Sequence, residues 1–240
     1  MIKERIYEVF THHKQRYGYR RVMYALRQDG LVINHKTVLK LMRSMNLKSK
    51  IRKKKFINFN VENGITAKNL LQRNFYAQAP NEKWVTDFTQ FNVNGKRLYL
   101  TPIMDLYNGE IISFNTSTRC FFNSVEKILY AAGKRLKPGE SPILHSDQGW
   151  QYRMPMYHGI LKKLGLTVSM SRKGNCWDNA AMESFFAILK TEVFHARKFS
   201  SVEELVKEIN EYIHYYNHER GKLKLKGLSP VAYRLQNVAT

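Results

Sequence analysis

The first 50 residues carry apolar positions at helical spacing and predict three short helices. These positions are Ile2, Ile6, Val9 and Phe10 in the first helix, Val22, Ala25 and Leu26 in the second, and Val38, Leu41, Met42 and Met45 in the third. The second helix is expected to end at Asp29-Gly30. Asn34 precedes the third helix and can cap it, because its side chain can accept a hydrogen bond from a free backbone N–H.

The third predicted helix has a basic side, on which Lys36, Lys40 and Arg43 lie opposite the apolar positions. Three short helices with a basic final one resemble a helix-turn-helix unit, in which that helix contacts DNA. A small helical bundle with a solvated basic face is the alternative interpretation. We predict a helix-turn-helix-like, DNA-binding, all-α domain over residues 1–50.

After residue 80 the pattern changes to runs that predict strands. The runs KWVTDFTQFNV, KRLYLTPIMDLY and EIISFNTST are separated by Asn94-Gly95 and Asn108-Gly109, which are typical of hairpin turns and predict an antiparallel meander. A helix, a fourth strand beginning at Ile143, another helix and a fifth strand in LTVSMS follow. Two helices, from about Asn179 to Val193 and from about Val202 to Tyr216, end the chain. This order predicts an α/β core over residues 81–240, with a mixed five-stranded sheet flanked by helices.

The charge of the chain indicates a polyanionic partner. Its 40 Lys and Arg against 19 Asp and Glu give a formal net charge of +21. Residues 1–80 hold 18 of these cations and 4 of the acids, a net of +14. Nucleic acid is the usual partner of such a surface, and an anionic membrane is the competing one.

The sequence predicts a soluble intracellular protein. No apolar run approaches the roughly 18 residues of a membrane span, so we expect no membrane insertion. The first ten residues are too charged for a secretory signal. Cys120 and Cys176 are too few for a disulfide framework and indicate a reducing compartment.

A dense run of cations, KSKIRKKK, follows the helical domain. It includes Arg52, Lys53, Lys54 and Lys55, which we expect to contact DNA phosphates from a mobile arm. The residues after this run lack clear periodicity. We therefore interpret residues 51–80 as a basic arm and linker.

Three acidic residues stand where strands and a helix could bring them together. Asp87 lies in the first predicted strand, on an otherwise apolar face where an unpaired carboxylate is costly to bury. Asp147 ends the fourth strand, in ILHSDQGWQY, and ligand sites in such sheets gather at strand ends. Glu183 lies on the following helix and shares a face with Lys190, seven residues later, and roughly with Asn179.

Converging carboxylates without a Cys or His cluster favour Mg²⁺ or Mn²⁺ over Zn²⁺. Two such ions, about 3.5–4 Å apart, can activate an attacking oxygen and stabilise the leaving oxygen at a phosphodiester. Lys190 would then meet a DNA phosphate or base near the reacting bond. We expect the three carboxylates to be slightly splayed without the metal, because like charges repel.

Simpler interpretations of these acids remain open on spacing alone. Asp147 could belong only to a turn, because Asp near Gly is common turn chemistry. Asp87 could pair with a cation, and Glu183 could be a solvated surface residue. Asp105 and Asp178 are rival acids, which we assign to a turn and to a helix cap.

Four segments occur in order along the chain: WVTDFT, LHSDQGWQY, KGNCWDNAAMESFFAILKTE and YNHERGKLKLKGLSPVAYR. Together they resemble the second-reading-frame product of the DDE transposases in the insertion sequence three family, relatives of the retroviral integrases. Thirty-five residues separate Asp147 from Glu183, which matches the family's spacing, and Lys190 matches a lysine of the family. The resemblance extends from about Tyr17 to Arg234.

This resemblance implies an RNase H-like catalytic core that cleaves DNA and transfers strands in transposition. It implies Asp87, Asp147 and Glu183 as the catalytic and metal-binding triad. We expect Lys190 and Asn179 to contact DNA beside them. The expected partners are double-stranded DNA, as element ends and target, and further copies of the chain, in the bacterial cytoplasm on the nucleoid.

The sequence also departs from the family. Relatives usually carry further residues before the first helix and an upstream-frame segment that binds the element's ends, so we expect a shortened chain with the upstream-frame product as a candidate partner. Gly221 and Lys222 stand where relatives more often have a bulkier apolar residue, which predicts a looser last segment. The alternatives are a DNA-binding regulator or inhibitor of the complete transposase, and a structure-specific nuclease that cuts without joining.

Overall fold

The structure, a computed structural model, describes residues 2–49 and 64–238, except the side chains of residues 176, 237 and 238. The helices of this part are α1 (Ile2–His12), α2 (Tyr19–Gln28), α3 (His35–Ser44), α4 (Phe122–Gly133), α5 (Pro155–Lys163), α6 (Ala180–Leu189), α7 (Val202–His218) and α8 (Pro230–Val238). The strands are β1 (Lys83–Thr86), β2 (Thr89–Val93), β3 (Lys96–Asp105), β4 (Ile111–Ser117), β5 (Ile143–Ser146) and β6 (Thr167–Met170). The predicted cationic arm, Arg52 to Lys55, lies outside the described residues.

The first three helices form the predicted helical bundle. Ile6, Val22 and Val38, one from each helix, are fully buried at its centre. The side chain of Asn34 accepts a hydrogen bond of 2.8 Å from the backbone N–H of Lys36, which confirms the predicted cap. The bundle therefore follows from the apolar spacing of the sequence.

The sheet is mixed, and β3 is the strand around which its antiparallel part is built. One edge of β3 pairs with β4, and the other edge is shared by β2 and β1, all antiparallel. On its far side β1 pairs in parallel with β5, and β5 pairs in parallel with β6. The predicted α/β class is confirmed.

The predicted count of five strands is corrected to six, because the first predicted strand is interrupted at Asp87 and Phe88. The register pairs Thr86 with Ile103, so its continuation places Asp87 opposite Pro102. Proline has no N–H to donate to a ladder. The backbone N–H of Phe88 is instead bonded to the Asp87 carboxylate, at 2.7 Å.

Helices cover both faces of the sheet, because successive strand residues point to opposite sides. Trp84 faces the apolar core formed with α4 and α5, whereas the next residue, Val85, faces the core formed with α6 and α7. Both side chains are fully buried. The end of β1 is thus held between two packed layers.

The end of the chain differs from the sequence prediction. We predicted that two helices finish the core, but α8 follows α7 after a short 3-10 turn at Leu223–Leu225. The Ser229 hydroxyl accepts a hydrogen bond of 3.3 Å from the N–H of Ala232, and Pro230 takes the first helical position, where its missing N–H costs nothing. Ser-Pro was the start signal that the prediction missed.

The helical bundle packs on α7 and on the segment after it. The Tyr17 hydroxyl accepts a hydrogen bond of 2.6 Å from the N–H of Gly221 and donates one of 3.2 Å to the carbonyl of Glu219. The guanidinium of Arg16 is 4.9 Å from the ring centroid of Tyr215. These contacts join residues about 200 positions apart along the chain.

The prediction of a looser last segment is wrong. A Cβ at Gly221 would collide with the carbonyl oxygen of Gly227, so only glycine fits this close approach. The Lys222 ammonium donates to the carbonyl of Gly109 at 3.0 Å and lies 4.4 Å from the ring centroid of Tyr216. The segment is tied to the core at both residues.

Candidate active site

Asp87 and Asp147 directly follow two neighbouring parallel strands. The register pairs Val85 with His145, so its continuation by two residues places Asp87 beside Asp147. Adjacent strands lie about 4.8 Å apart, and both aspartate side chains are half-buried. The two carboxylates therefore meet at one edge of the sheet.

Local hydrogen bonds orient these two carboxylates. Asp147 Oδ1 accepts a bond of 2.8 Å from the N–H of Gly149, and Asp87 Oδ1 accepts the bond from Phe88. The turn interpretation of Asp147 is thus correct as far as it goes. A carboxylate that accepts one backbone bond still has lone pairs for a cation, so the turn and a metal site are compatible.

Glu183 is exposed in the first turn of α6, beside the same sheet edge. The helix is held there by Met182 and Phe185, which are buried in the core, and by Asn179 at its start. The Asn179 amide donates a hydrogen bond of 3.2 Å to the carbonyl of Thr86, the last residue of β1.

Asn179 is almost fully buried, since only 3% of this residue is exposed. Its bond to Thr86 fixes the start of α6 against the strand that precedes Asp87. Contact of Asn179 with DNA stays a prediction.

The electrostatics connect all three acids. Burial raises the pKa of Asp87 well above its ordinary value, and the charges of Asp147 and Glu183 raise it further. Burial also raises the pKa of Asp147, against the opposing effect of the Gly149 N–H. Like charges at close range disfavour the ionised form, so the site gains from a bound cation.

The carboxylates are not assembled at metal-binding distance. In residues 2–49 and 64–238, no group of three His, Cys, Asp or Glu side chains stands close enough to hold a metal ion. The slight splay of the three carboxylates without a metal stays a prediction.

Lys190 lies at the junction of α6 with a π-helical segment, Lys190–Phe194. Its ammonium is 5.5 Å from the ring centroid of Phe91. Burial lowers the pKa of Lys190, and the charge of Asp87 opposes that shift. A π-helical turn often marks a functional position, and here it begins at a lysine within the field of Asp87.

The rival acids have other roles. The Asp105 carboxylate accepts hydrogen bonds of 2.9 Å from the N–H groups of Asn81 and Tyr107, in agreement with its assignment to a turn. We had predicted that Asp178 caps a helix, and this prediction is wrong, because its side chain caps neither the 3-10 turn nor α6. Its fully buried carboxylate accepts bonds of 2.9 to 3.0 Å from the guanidinium groups of Arg172 and Arg73, which hold its pKa below the usual range.

The predicted DNA-binding residues of the helical bundle lie on its surface. Lys36, Lys40 and Arg43 are all exposed on α3. The bundle therefore presents the basic face that the sequence predicts.

Within residues 2–49 and 64–238, no helix combines the length and the apolar character of a membrane span.

Comparisons with known families match nearly the whole chain. The HTH-like domain family matches residues 1–55, and the integrase core domain family matches residues 77–176 and 183–238. These matches cover the helical bundle and the sheet with its helices.

Curated relatives resemble the chain over most of its length. The putative transposase InsK for insertion sequence element IS150 of Escherichia coli is 53% identical over 98% of this chain and 83% of its own. An uncharacterized transposase-like protein of Haemophilus influenzae is 50% identical over 88% of this chain and 97% of its own. Transposase InsF for insertion sequence IS3A of Escherichia coli is 37% identical over 96% of this chain and 81% of its own.

Solved structures resemble the chain in fold. The simian T-cell lymphotropic virus intasome in complex with PP2A regulatory subunit B56 gamma has a TM-score of 0.52 and 19% identity, over 89% of this chain and 68% of that one. The HTLV-2 integrase catalytic core domain in complex with magnesium has a TM-score of 0.53 and 14% identity, over 65% of this chain and 98% of that one. The predicted RNase H-like, integrase-type fold is confirmed.

Proposed function

The chain belongs to the family of insertion sequence transposases with an integrase core, and we propose that Asp87, Asp147 and Glu183 are its catalytic carboxylates. The observation that carries the proposal is the parallel register of β1 and β5, which ends both strands in neighbouring carboxylates. The effect of Glu183 on the pKa of Asp87 supports the third member.

The reaction is the transfer of a DNA phosphodiester. An attacking oxygen, from water in cleavage or from a strand-end hydroxyl in joining, forms the new P–O bond. The bond to the leaving oxygen breaks, and that oxygen takes up a proton. The proposed substrates are the double-stranded ends of the element and the target DNA.

The three carboxylates fit a divalent cation. They are hard oxygen donors whose mutual repulsion a dication would remove, and this chemistry selects Mg²⁺ or Mn²⁺. When bound, two such ions supply the Lewis acidity that activates the attacking oxygen and stabilises the leaving oxygen. In this proposal Asp87 and Asp147 hold the ions at the sheet edge, Glu183 completes the set from α6, and Lys190 orients a phosphate.

The helical bundle is proposed to bind the DNA that the core cuts. Lys36, Lys40 and Arg43 are exposed on α3, the helix that enters the groove in a helix-turn-helix unit. The cationic run from Arg52 to Lys55 adds sequence-independent phosphate contacts. We further propose that several copies assemble on DNA with the upstream-frame product, on the nucleoid of the bacterial cytoplasm.

Strand transfer on element-end DNA tests the triad. Asp147→Asn keeps the shape of the side chain but loses the charge that holds a dication. It should abolish cleavage and joining in Mg²⁺ or Mn²⁺ and leave the Kd for DNA within about twofold, because the substitution leaves every proposed DNA-binding residue in place. Gel assays of cut and joined products, with fluorescence anisotropy for binding, give both quantities.

Glu211→Gln is the matched control, because Glu211 is an exposed acid on α7. It should behave as the wild type. Equal losses of affinity and catalysis in Asp147→Asn would make Asp147 a structural residue. If the wild-type protein cleaves DNA without joining strands, a structure-specific nuclease is favoured. If the wild-type protein binds DNA without either reaction, a regulator is favoured.

A further inference from the structure

Trp177 is exposed immediately before the helix that carries Glu183. Its relative exposure is 66%, whereas the next two residues, Asp178 and Asn179, are 0% and 3% exposed. An indole ring contributes a large apolar surface to a protein core, so leaving most of it in water forgoes stabilisation. Among the described residues, Trp177 belongs to none of the three hydrophobic clusters.

The backbone under the ring is held rigidly. Trp177 belongs to a 3-10 turn, Cys176–Asn179. The Asp178 carboxylate accepts bonds from the guanidinium groups of Arg172 and Arg73 and from the amide of Asn69, at 2.9 to 3.0 Å. The ring is therefore exposed on a fixed support.

The same turn is tied to the site. Asn179 donates to the carbonyl of Thr86, which directly precedes Asp87. Glu183 lies six positions after Trp177, half of this step in the 3-10 turn and half in α6, or about 10 Å of rise. A base held by Trp177 would lie within one or two nucleotides of a phosphodiester at the three acids.

Cations lie beside the turn that carries the ring. The side chains of Arg172 and Arg73 are 60% and 50% exposed, although both bind the single carboxylate of Asp178. Lys173 is exposed beside them. An exposed aromatic ring among cations is the arrangement by which proteins stack an unpaired base and hold its backbone.

We propose that Trp177 stacks on a base that is unpaired at the DNA end, next to the reacting phosphodiester. This inference rests on the proposed function of the three carboxylates. A phosphodiester inside a paired duplex end approaches the half-buried carboxylates of Asp87 and Asp147 poorly, and opening the last pairs lets the strand reach them. Stacking on a fixed ring offsets part of the cost of unpairing.

Base stacking is measured directly by 2-aminopurine fluorescence. Element-end DNA carries the probe at each of the last three positions in turn, and titrations omit divalent metal so that no strand is cut. Wild-type protein should quench the probe at one position, and Trp177→Ala should abolish that quenching and weaken binding to the end by about tenfold. Trp177→Phe should retain part of both effects.

Phe121→Ala is the matched control. Phe121 is 56% exposed, lies 5.8 Å from the guanidinium of Arg119, and directly precedes α4. Its removal should leave the quenching unchanged. Wild-type quenching by Trp177→Ala would overturn the proposal.

Strand transfer on pre-opened ends provides a second readout. Trp177→Ala should be slow on paired ends and recover on ends with mismatched terminal pairs, because the unpairing has already been supplied. Equal defects of Trp177→Ala on paired and on mismatched ends would overturn the proposal and make Trp177 a structural residue. The same conclusion would follow if Trp177→Ala lost self-association but quenched the probe as the wild type does. Quenching by a wild-type protein that never joins strands would support the stacking and sink the proposed function instead.

Discussion

Asp147 shows how one residue satisfies two interpretations. Its Oδ1 accepts the Gly149 N–H as in an ordinary turn, yet the residue follows β5 beside the end of β1 and its charge raises the pKa of Asp87. The turn bond orients the carboxylate without consuming it. Sequence reasoning treated the turn and the metal site as competitors, whereas the turn bond is compatible with the metal ligation that we propose for Asp147.

We predict that Lys190 binds a DNA phosphate and does not bind metal. Its ammonium lies beside Phe91 and within the field of Asp87. A protonated amine cannot ligate a cation but can donate to a phosphate. Lys190→Ala should weaken binding to element ends by about tenfold and slow strand transfer, because a charge-assisted hydrogen bond is lost. Lys190→Arg should keep part of the activity.

Isothermal titration of Mn²⁺ into the DNA-free protein separates the two roles of Lys190. Lys190→Ala should bind Mn²⁺ as the wild type does. Lys198→Ala, which removes an exposed lysine, is the control for charge. Wild-type strand transfer by Lys190→Ala at both low and physiological salt would show that Lys190 is only a surface cation.

At the scale of elements, the sequence predicted the helices and turns that depend on neighbouring residues, but it did not predict the contacts between residues far apart along the chain. The three helices of the bundle follow from their own apolar spacing, and the Asn94-Gly95 hairpin from its dipeptide, in which both residues have positive φ. The division of the first strand depends on Pro102, which only the register brings opposite Asp87. Likewise, the role of Asn179 depends on Thr86, 93 positions away, so no local signal could reveal it.

The basic face of α3 is an element whose role salt can measure. If Lys36, Lys40 and Arg43 each contact one phosphate, changing all three to Gln should reduce the slope of log K against log salt by about 2.7. The measurement is DNA affinity by anisotropy from 50 to 200 mM salt. Lys162→Gln with Lys163→Gln, on the exposed end of α5, is the control and should leave the slope unchanged. An unaltered slope in the triple variant would assign α3 to a solvated face.

At the scale of the whole molecule, two buried histidines make stability depend on pH. Burial lowers the pKa of His13 and of His145 to about 4. His13 hydrogen-bonds Tyr215 at the contact of bundle and core, and His145 joins β5 to Ser169 of β6. Both are neutral in the folded protein above that pH. Between about pH 6.5 and 4 the unfolded chain therefore binds more protons, so stability falls as the pH is lowered.

Each histidine should lower the free energy of unfolding by about 2 kcal/mol as the pH falls from 7 to 5. The raised pKa of Asp105, about 6, acts in the opposite direction, so the test compares variants and not the wild-type curve alone. In urea denaturation, His145→Asn should lose less stability than the wild type over this range. His214→Asn, at an exposed position of α7, should follow the wild type. Parallel curves for all three proteins would contradict the prediction.

The hydroxyl of Tyr17, bonded to Gly221 and Glu219, joins the DNA-reading bundle to the core that holds the carboxylates. If α3 binds DNA as proposed, the distance from the bases it reads to the bond that is cut is constant. Along B-DNA a constant distance sets both a number of base pairs and a rotational phase, which repeats every ~10.5 base pairs. The chain would then act as a ruler, and five inserted base pairs would turn the scissile bond to the far side of the duplex.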